Sequence, residues 1–207
     1  MTETPEPYLI SDPPGDEPRV NLARLEWLGL ELLIALGEDP LREGLLDTPR
    51  RFAHAWRDFI EYDPGNVDTT FEAVTVDQLI VVSGIQAWTM CEHHLLPFAV
   101  DITIGLLAHG HVLGLSKYAR VALQVAHRLQ LQERLTCQIA DAITHLTESP
   151  DVGVIVHGRH LCAALRGVKQ SKMVMHTSEL RGAFRGDQSL RAEFMRLALI
   201  QGGQPHG

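Results

Sequence analysis

The chain has 207 residues, 45% of them hydrophobic and 21% charged, the make-up of an ordinary globular protein with one main domain and room for a small appendage. A formal net charge of −8 argues against nucleic acid as the principal partner, because a phosphate lattice needs a basic face. It leaves room for one small polyanion in a local basic pocket. No apolar run is long enough to span a bilayer, so no membrane partner is expected.

Residues 1–20, MTETPEPYLISDPPGDEPRV, are rich in proline and acids and lack the basic and apolar regions of a signal peptide. They are expected to be a disordered tail, on a protein of the reducing cytoplasm. Residues 21–66 read as a helical segment. Leu22, Leu25, Leu28, Leu32, Leu33 and Leu36 recur at helical spacing, with Asn21 placed to cap the start and Gly37 to stop it. Thr48 and Pro49 suit the cap and first position of a second helix, on which Phe52, Trp56 and Phe59 share a face. DPGN at 63–66 breaks that helix, and the main domain is expected over 67–207.

The pattern then changes. Residues 78–89 read as a largely buried strand, and 98–107 as an alternating one. Ser116 is expected to cap a helix running to about Leu129, with Val121, Val125 and Leu129 on one stripe. A second helix starts near Gln132, with Leu135, Ile139, Ile143 and Leu146 on its stripe. A strand over 152–167, a short strand near 173–178 and a helix over 187–200 follow. The order strand-strand-helix-helix-strand-strand is an α+β pattern with an antiparallel sheet.

Three clusters carry chemistry. In CEHHLLPF, Cys91 and His94 are three apart and can face one point, a thiolate–imidazole pair suited to zinc. If RHLCAALRG is a strand, His160 and Cys162 share a face. Cys162 would then complete a Cys2His site with one tetrahedral position open, overlooked by His160. Glu92 reads as a group that fixes the loop, and Leu95 to Phe98 as apolar residues that seat it in the core. Cys137 reads as packing within a helix, and His54, His109, His111, His127, His145, His157 and His176 as surface or structural residues. In GLSKYARV, Ser116, Lys117 and Arg120 stand at a helix start that favours anions, and RGVKQSK adds Arg166, Lys169 and Lys172. In LQLQERLT, Gln132 and Glu133 open a helix. Glu133 suits the helix dipole, and its carboxylate can also accept the paired donors of a guanine edge.

Taken in order, CEHHLLPF, VLGLSKYARV, LQLQERLT and HLCAALRGV closely resemble the motifs of the GTP cyclohydrolase I family, and ALGEDPLREGLLDTPRRFAHAW resembles its N-terminal helices. The resemblance spans about residues 21–200. It implies a tunnelling fold (T-fold) with two helices on one face of the sheet, assembled as a homodecamer with active sites at subunit interfaces. It implies one zinc ion per subunit on Cys91, His94 and Cys162, with His93 and His160 catalytic. It gives Ser116, Lys117, Arg120 and Arg166 to the ribose and triphosphate, and Gln132 and Glu133 to the substrate, with Ser116 and Gln132 near enough to assist the ribose chemistry. The family's reaction turns GTP and water into 7,8-dihydroneopterin triphosphate and formate. Two stretches depart from the family pattern. AVDITIG follows LPF where a Gly-Lys pair is common, and MVMHTS stands where a Thr-rich run is common. A non-catalytic GTP-binding assembly protein, or a T-fold enzyme of pterin or deazapurine metabolism, are the competing readings. An open metal position beside two histidines speaks against the first, and the SKYAR anion site against a dephosphorylated substrate.

Overall fold

The computed structural model describes residues 20–200. Apart from Val20, the tail expected over 1–20 lies outside them. Two compact units divide at Asp63 and Pro64.

In the first unit, Asn21 caps α1 (Leu22–Ala35) by accepting from the Arg24 amide at 2.9 Å, and Gly37 leaves it with φ +80°. α2 (Thr48–Ile60) starts one residue earlier than expected: Asp47 occupies the cap, and Thr48 is already helical. Phe52, Trp56 and Phe59 meet edge to face, with successive ring centroids 6.4 Å apart.

The second unit runs β1 (Thr70–Glu72), β2 (Gln78–Cys91), β3 (Leu96–Ala108), β4 (His111–Leu113), α3 (Leu115–Ala126), β5 (Leu129–Gln130), α4 (Gln132–Thr147), β6 (Val152–His160), the single turn α5 (Leu161–Ala164), β7 (Met175–Leu180), the turn α6 (Ala183–Gly186) and α7 (Gln188–Ile200). The main sheet has the order β5-β2-β3-β6-β7. Its long strands are antiparallel, and the two-residue β5 joins β2 in parallel through Met90↔Leu129 and Cys91↔Gln130.

Alternation along β6 divides the apolar residues between two faces. Val152, Val154 and Val156 enter the larger core with Val121 of α3 and Ile139 and Ile143 of α4. Ile155 points the other way, to Phe184 and Phe194 of α6 and α7. Gly105 and Gly153, paired across β3 and β6, make that second layer possible. A Cβ on either would stand 2.7 or 2.9 Å from the Phe194 ring. The family resemblance implied two helices on one face; α7 covers part of the other.

Four local expectations are corrected. The strand expected over 152–167 stops at His160, and Cys162 sits on a helical turn. The reason is the neighbour: β3 begins at Leu96 and pairs Phe98 with His160, so residues beyond 160 soon run out of ladder. They close on themselves instead, Leu165 N–H donating to the Leu161 carbonyl at 3.0 Å. Ser116 does not cap α3; Gly114 holds that position, and Ser116 lies in the first turn. The helix ends at Ala126, where the His127 ring bonds the Leu123 carbonyl at 2.8 Å, so Leu129 leaves the stripe for β5. Leu95 does not seat its loop in the core. It is 52% exposed with φ +54°, while Phe98 is fully buried.

Candidate active site

Three chain segments meet at one end of the sheet. Cys91 closes β2 and is buried. The turn after it is tied back by the Leu95 N–H, which donates to the Cys91 carbonyl at 2.8 Å before β3 returns with Leu96 opposite Cys91. His160 ends β6, and Cys162 lies one turn further on. The ligand atoms of Cys91, His160 and Cys162 all fall within 4.8 Å of one another, the group of this kind found among the described residues. Both cysteines are free. Burial pushes the Cys162 thiol up, the adjacent Cys91 pushes it further, and the Arg166 guanidinium opposes both. Arg166 is thereby placed near the thiols.

His160 is held on two sides. Its ring stacks on Phe98, with centroids 4.1 Å apart and planes 10° from parallel. Its Nε2 lies 2.9 Å from Gln132 Oε1. Gln132 is buried, and its Nε2 donates to the carbonyls of Val156 at 3.1 Å and Met175 at 3.0 Å and to Thr177 Oγ1 at 3.2 Å. Carbonyl oxygens only accept, so the amide nitrogen must face them and the amide oxygen must face the imidazole. His160 therefore carries a proton on Nε2, and its neutral form keeps the lone pair on Nδ1. Burial lowers the His160 pKa from its ordinary value, and the Glu133 carboxylate partly restores it. Thr136 donates to the Gln132 carbonyl at 2.8 Å and bonds Thr177 Oγ1 at 2.7 Å, completing the clamp.

The turn that carries the other histidines is built differently. Glu92, His93, His94 and Leu95 are exposed, and the two imidazoles lie 6.2 Å apart at 75°. Glu92 pairs with Arg134, whose Nε donates to Gln130 Oε1 at 3.0 Å. Buried Gln130 donates to the Val125 carbonyl at 3.0 Å and to Gln138 at 2.8 Å, and its own carbonyl accepts from Glu92 N–H at 3.1 Å. Glu92 thus fixes the loop. His94, expected from spacing to join the cysteines, lies on this exposed turn and outside the group that includes His160.

On α3, Lys117 and Arg120 converge on the Asn66 carbonyl, with Arg120 Nη1 at 3.1 Å. Two cations thus reach a single main-chain oxygen. Ser116 is exposed beside them, and Glu133 is exposed at the start of α4. Cys137, expected to be packed, is instead exposed on α4 with Sγ 3.9 Å from Glu179 Oε2. Sequence reading placed Phe98 in the core but missed its stacking on His160, and missed Gln130 and Arg134. Their signal was present in LPF and LQLQERLT, but only the register Phe98↔His160 and the β5–β2 pairing show what they support.

An α+β sheet that ends in two free thiols and an oriented imidazole fits the T-fold of a hydrolytic enzyme class. The chain belongs to the GTP cyclohydrolase I family, whose sequence model matches residues 29–199. It is 44% identical over 174 residues to GTP cyclohydrolase 1 of Pseudoalteromonas translucida, covering 80% of this chain and 92% of that one. It is 41% identical over 205 residues to the same-named protein of Deinococcus radiodurans, covering 97% of this chain and 92% of that one. To that of Hyperthermus butylicus it is 45% identical over 179 residues, covering 86% of this chain and 91% of that one.

Proposed function

We propose that the chain opens the imidazole ring of GTP by hydrolysis, releases C8 as formate and rearranges the remainder to 7,8-dihydroneopterin triphosphate. The observation that carries this is the gathering of Cys91, Cys162 and the proton-oriented His160 at one point of a chain of this family.

Two free thiols converging at the end of a buried strand fit zinc, which takes thiolate and imidazole. Cys91, Cys162 and His94 would hold it, one ion per subunit. Zinc bound there would supply Lewis acidity that lowers the pKa of the water aimed at purine C8.

His160, neutral near pH 7 because burial lowers its pKa, takes a proton at Nδ1 from the attacking water. It then returns that proton to guanine N7, so that the five-membered ring can open. Gln132 keeps Nε2 protonated throughout. Glu133 accepts guanine N1–H and the 2-amino group, and its charge steadies His160 when the ring is protonated. Lys117, Arg120 and Arg166 hold the triphosphate. His93 and Ser116 move protons during opening and reclosure of the ribose, with the Gln132 amide holding the ring geometry.

A second reading has its own observation: His160, not His94, has a ligand atom within 4.8 Å of both cysteines. On that reading Gln132 would orient a ligand rather than a proton carrier. Metal content separates the two. The first expects His94→Ala to lose zinc and His160→Ala to keep it while losing turnover by about 10²–10⁴-fold; the second expects the reverse in metal content.

The residues named all lie in the unit that begins at Pro64, and the catalytic domain is proposed as 67–207. A homodecamer in the cytoplasm with sites at subunit boundaries is part of the proposal. Self-association is supported by the outer strands β5 and β7 of the sheet and by the exposed Trp88 and Leu129 on its β5 side. No helix of the described residues is long and apolar enough to cross a membrane. The deciding assay incubates purified protein with GTP or ATP and measures formate and, after oxidation, pterin fluorescence. Product from GTP alone is expected. Its absence from metal-replete protein would overturn the assignment, and equal product from ATP would remove Glu133 from base selection.

A further inference from the structure

Outside the active site, one rung of the sheet crosses four strands with polar side chains. Gln86 of β2 stands opposite Asp101 of β3, Asp101 opposite His157 of β6, and His157 opposite His176 of β7. His157 shares the parity of Ile155, so the rung lies on the face that α7 partly covers, away from α3 and α4. The neighbouring position on that face toward the end of β6 is the exposed Arg159. Sequence reading had set His157 and His176 aside as surface or structural residues; the structure brings them together. Their Nδ1 atoms face each other within hydrogen-bond reach, with ring centroids 4.5 Å apart and planes at 75°. Asp101 is held by Gln86, whose Nε2 donates to Oδ1 at 3.0 Å, and its charge acts on His157. Asp101 and His176 come from AVDITIG and MVMHTS, the two stretches that depart from the family pattern and that the proposed reaction does not use.

We propose that the facing Nδ1 atoms of His157 and His176 form a second transition-metal site on the open face of the sheet, a two-imidazole pair that Asp101 supports through its charge and not as a third ligand. Two imidazoles fixed by strand pairing need little ordering to chelate a cation, and imidazole suits zinc, nickel or copper. In the metal-free pair one ring donates Nδ1–H to the other Nδ1. Binding needs both Nδ1 lone pairs, so the donor ring moves its proton to Nε2, and no net proton is released. His157 is disposed to be neutral, because burial and the neighbouring His176 lower its pKa more than Asp101 raises it. His176 is exposed, which leaves the pair open to a cation from solvent.

The test is equilibrium dialysis of the full chain against micromolar zinc, followed by elemental analysis. Wild type should take up an equivalent beyond the one lost in Cys162→Ala. His176→Ala should lack that additional equivalent, with affinity at this site down by about 10-fold or more, while keeping the active-site metal and turnover. Asp101→Asn should weaken the site without abolishing it. The Cys162→Ala protein keeps this second site, so the proposal stands or falls separately from the catalytic assignment. Should His176→Ala melt lower than wild type, His176→Asn serves as the second variant, since it keeps a polar side chain and removes the imidazole. Equal zinc uptake by wild type and either His176 variant overturns the proposal.

Discussion

The two halves of the active site differ in how the fold holds them. On the β6 side, His160 is pressed against fully buried Phe98 and bonded to buried Gln132, whose amide is fixed by two carbonyls and a threonine. On the β2 side, Glu92, His93, His94 and Leu95 form an exposed turn tied by its return to Cys91 and by the Glu92–Arg134 pair. The first half sets a tautomer before any substrate arrives; the second presents its imidazoles to solvent from a turn held by its backbone bonds and by Glu92. Proton position is cheap to fix with buried hydrogen bonds, because an unmade one costs about 1–3 kcal/mol. Ligand geometry around a cation is set by the cation as well, so preorganisation there matters less.

The largest effect tests whether the two halves share one centre. Cys91→Ala, on the β2 side, and Cys162→Ala, beyond β6, should each lose metal and turnover together. Cys137→Ala should keep both, because Cys137 lies exposed on α4 beside Glu179. Retention of full zinc by Cys162→Ala would show that the halves are separate sites.

Next comes the clamp itself. Gln132→Leu keeps the bulk but leaves His160 Nε2–H without its acceptor and removes a donor from the Val156 and Met175 carbonyls. Stability should fall by about 1–3 kcal/mol, and kcat by about 10²-fold with little change in KM. Unchanged kcat in a folded Gln132→Leu protein would mean that the oriented tautomer is incidental.

A smaller effect belongs to α3. Lys117→Ala and Arg120→Ala should each weaken GTP binding by about 10-fold, as expected for one charge-assisted hydrogen bond. Guanosine, which lacks the phosphates, should lose less. Equal losses for both ligands would return these cations to their visible role of holding the Asn66 carbonyl.

What was legible in the sequence follows the same division. Periodicity located α1, α2, α4 and the long strands, because each buries one face and its pattern is local. The capping of α1 by Asn21 was readable for the same reason. The helical turn at Cys162 was not: it depends on where β3 begins, at Leu96, which is adjacent in register but sixty-odd residues away in sequence, and the motif HLCAALRG says nothing of that. The role of Gln132 was also hidden. Its partners are main-chain carbonyls on β6 and β7, which any residue types would supply. The pairing of His157 with His176 required strand order, which spacing within either strand does not give.

The smallest effect asks what happens to an imidazole that has a charged neighbour but no clamp. The pKa of His157 is lowered from its ordinary value by burial first and by His176 second, and raised in part by Asp101. Its folded pKa is therefore below the unfolded value of about 6.5. Above about 6.5 both states are neutral and the group adds no pH dependence. As pH falls through that value the unfolded chain binds a proton that the folded protein still excludes, so stability declines until the folded pKa is passed. Two substitutions should move this slope in opposite directions. His176→Ala removes a cause of lowering, brings the folded pKa back toward the unfolded one and should flatten the acid loss of melting temperature. Asp101→Asn removes the cause of raising and should steepen it. Melting curves between about pH 5 and 7, taken without added metal, measure both slopes. If the two variants shift the slope in the same direction, His157 is not the titrating group, and the acid sensitivity must be sought at the clamped His160, where burial acts without a second imidazole beside it.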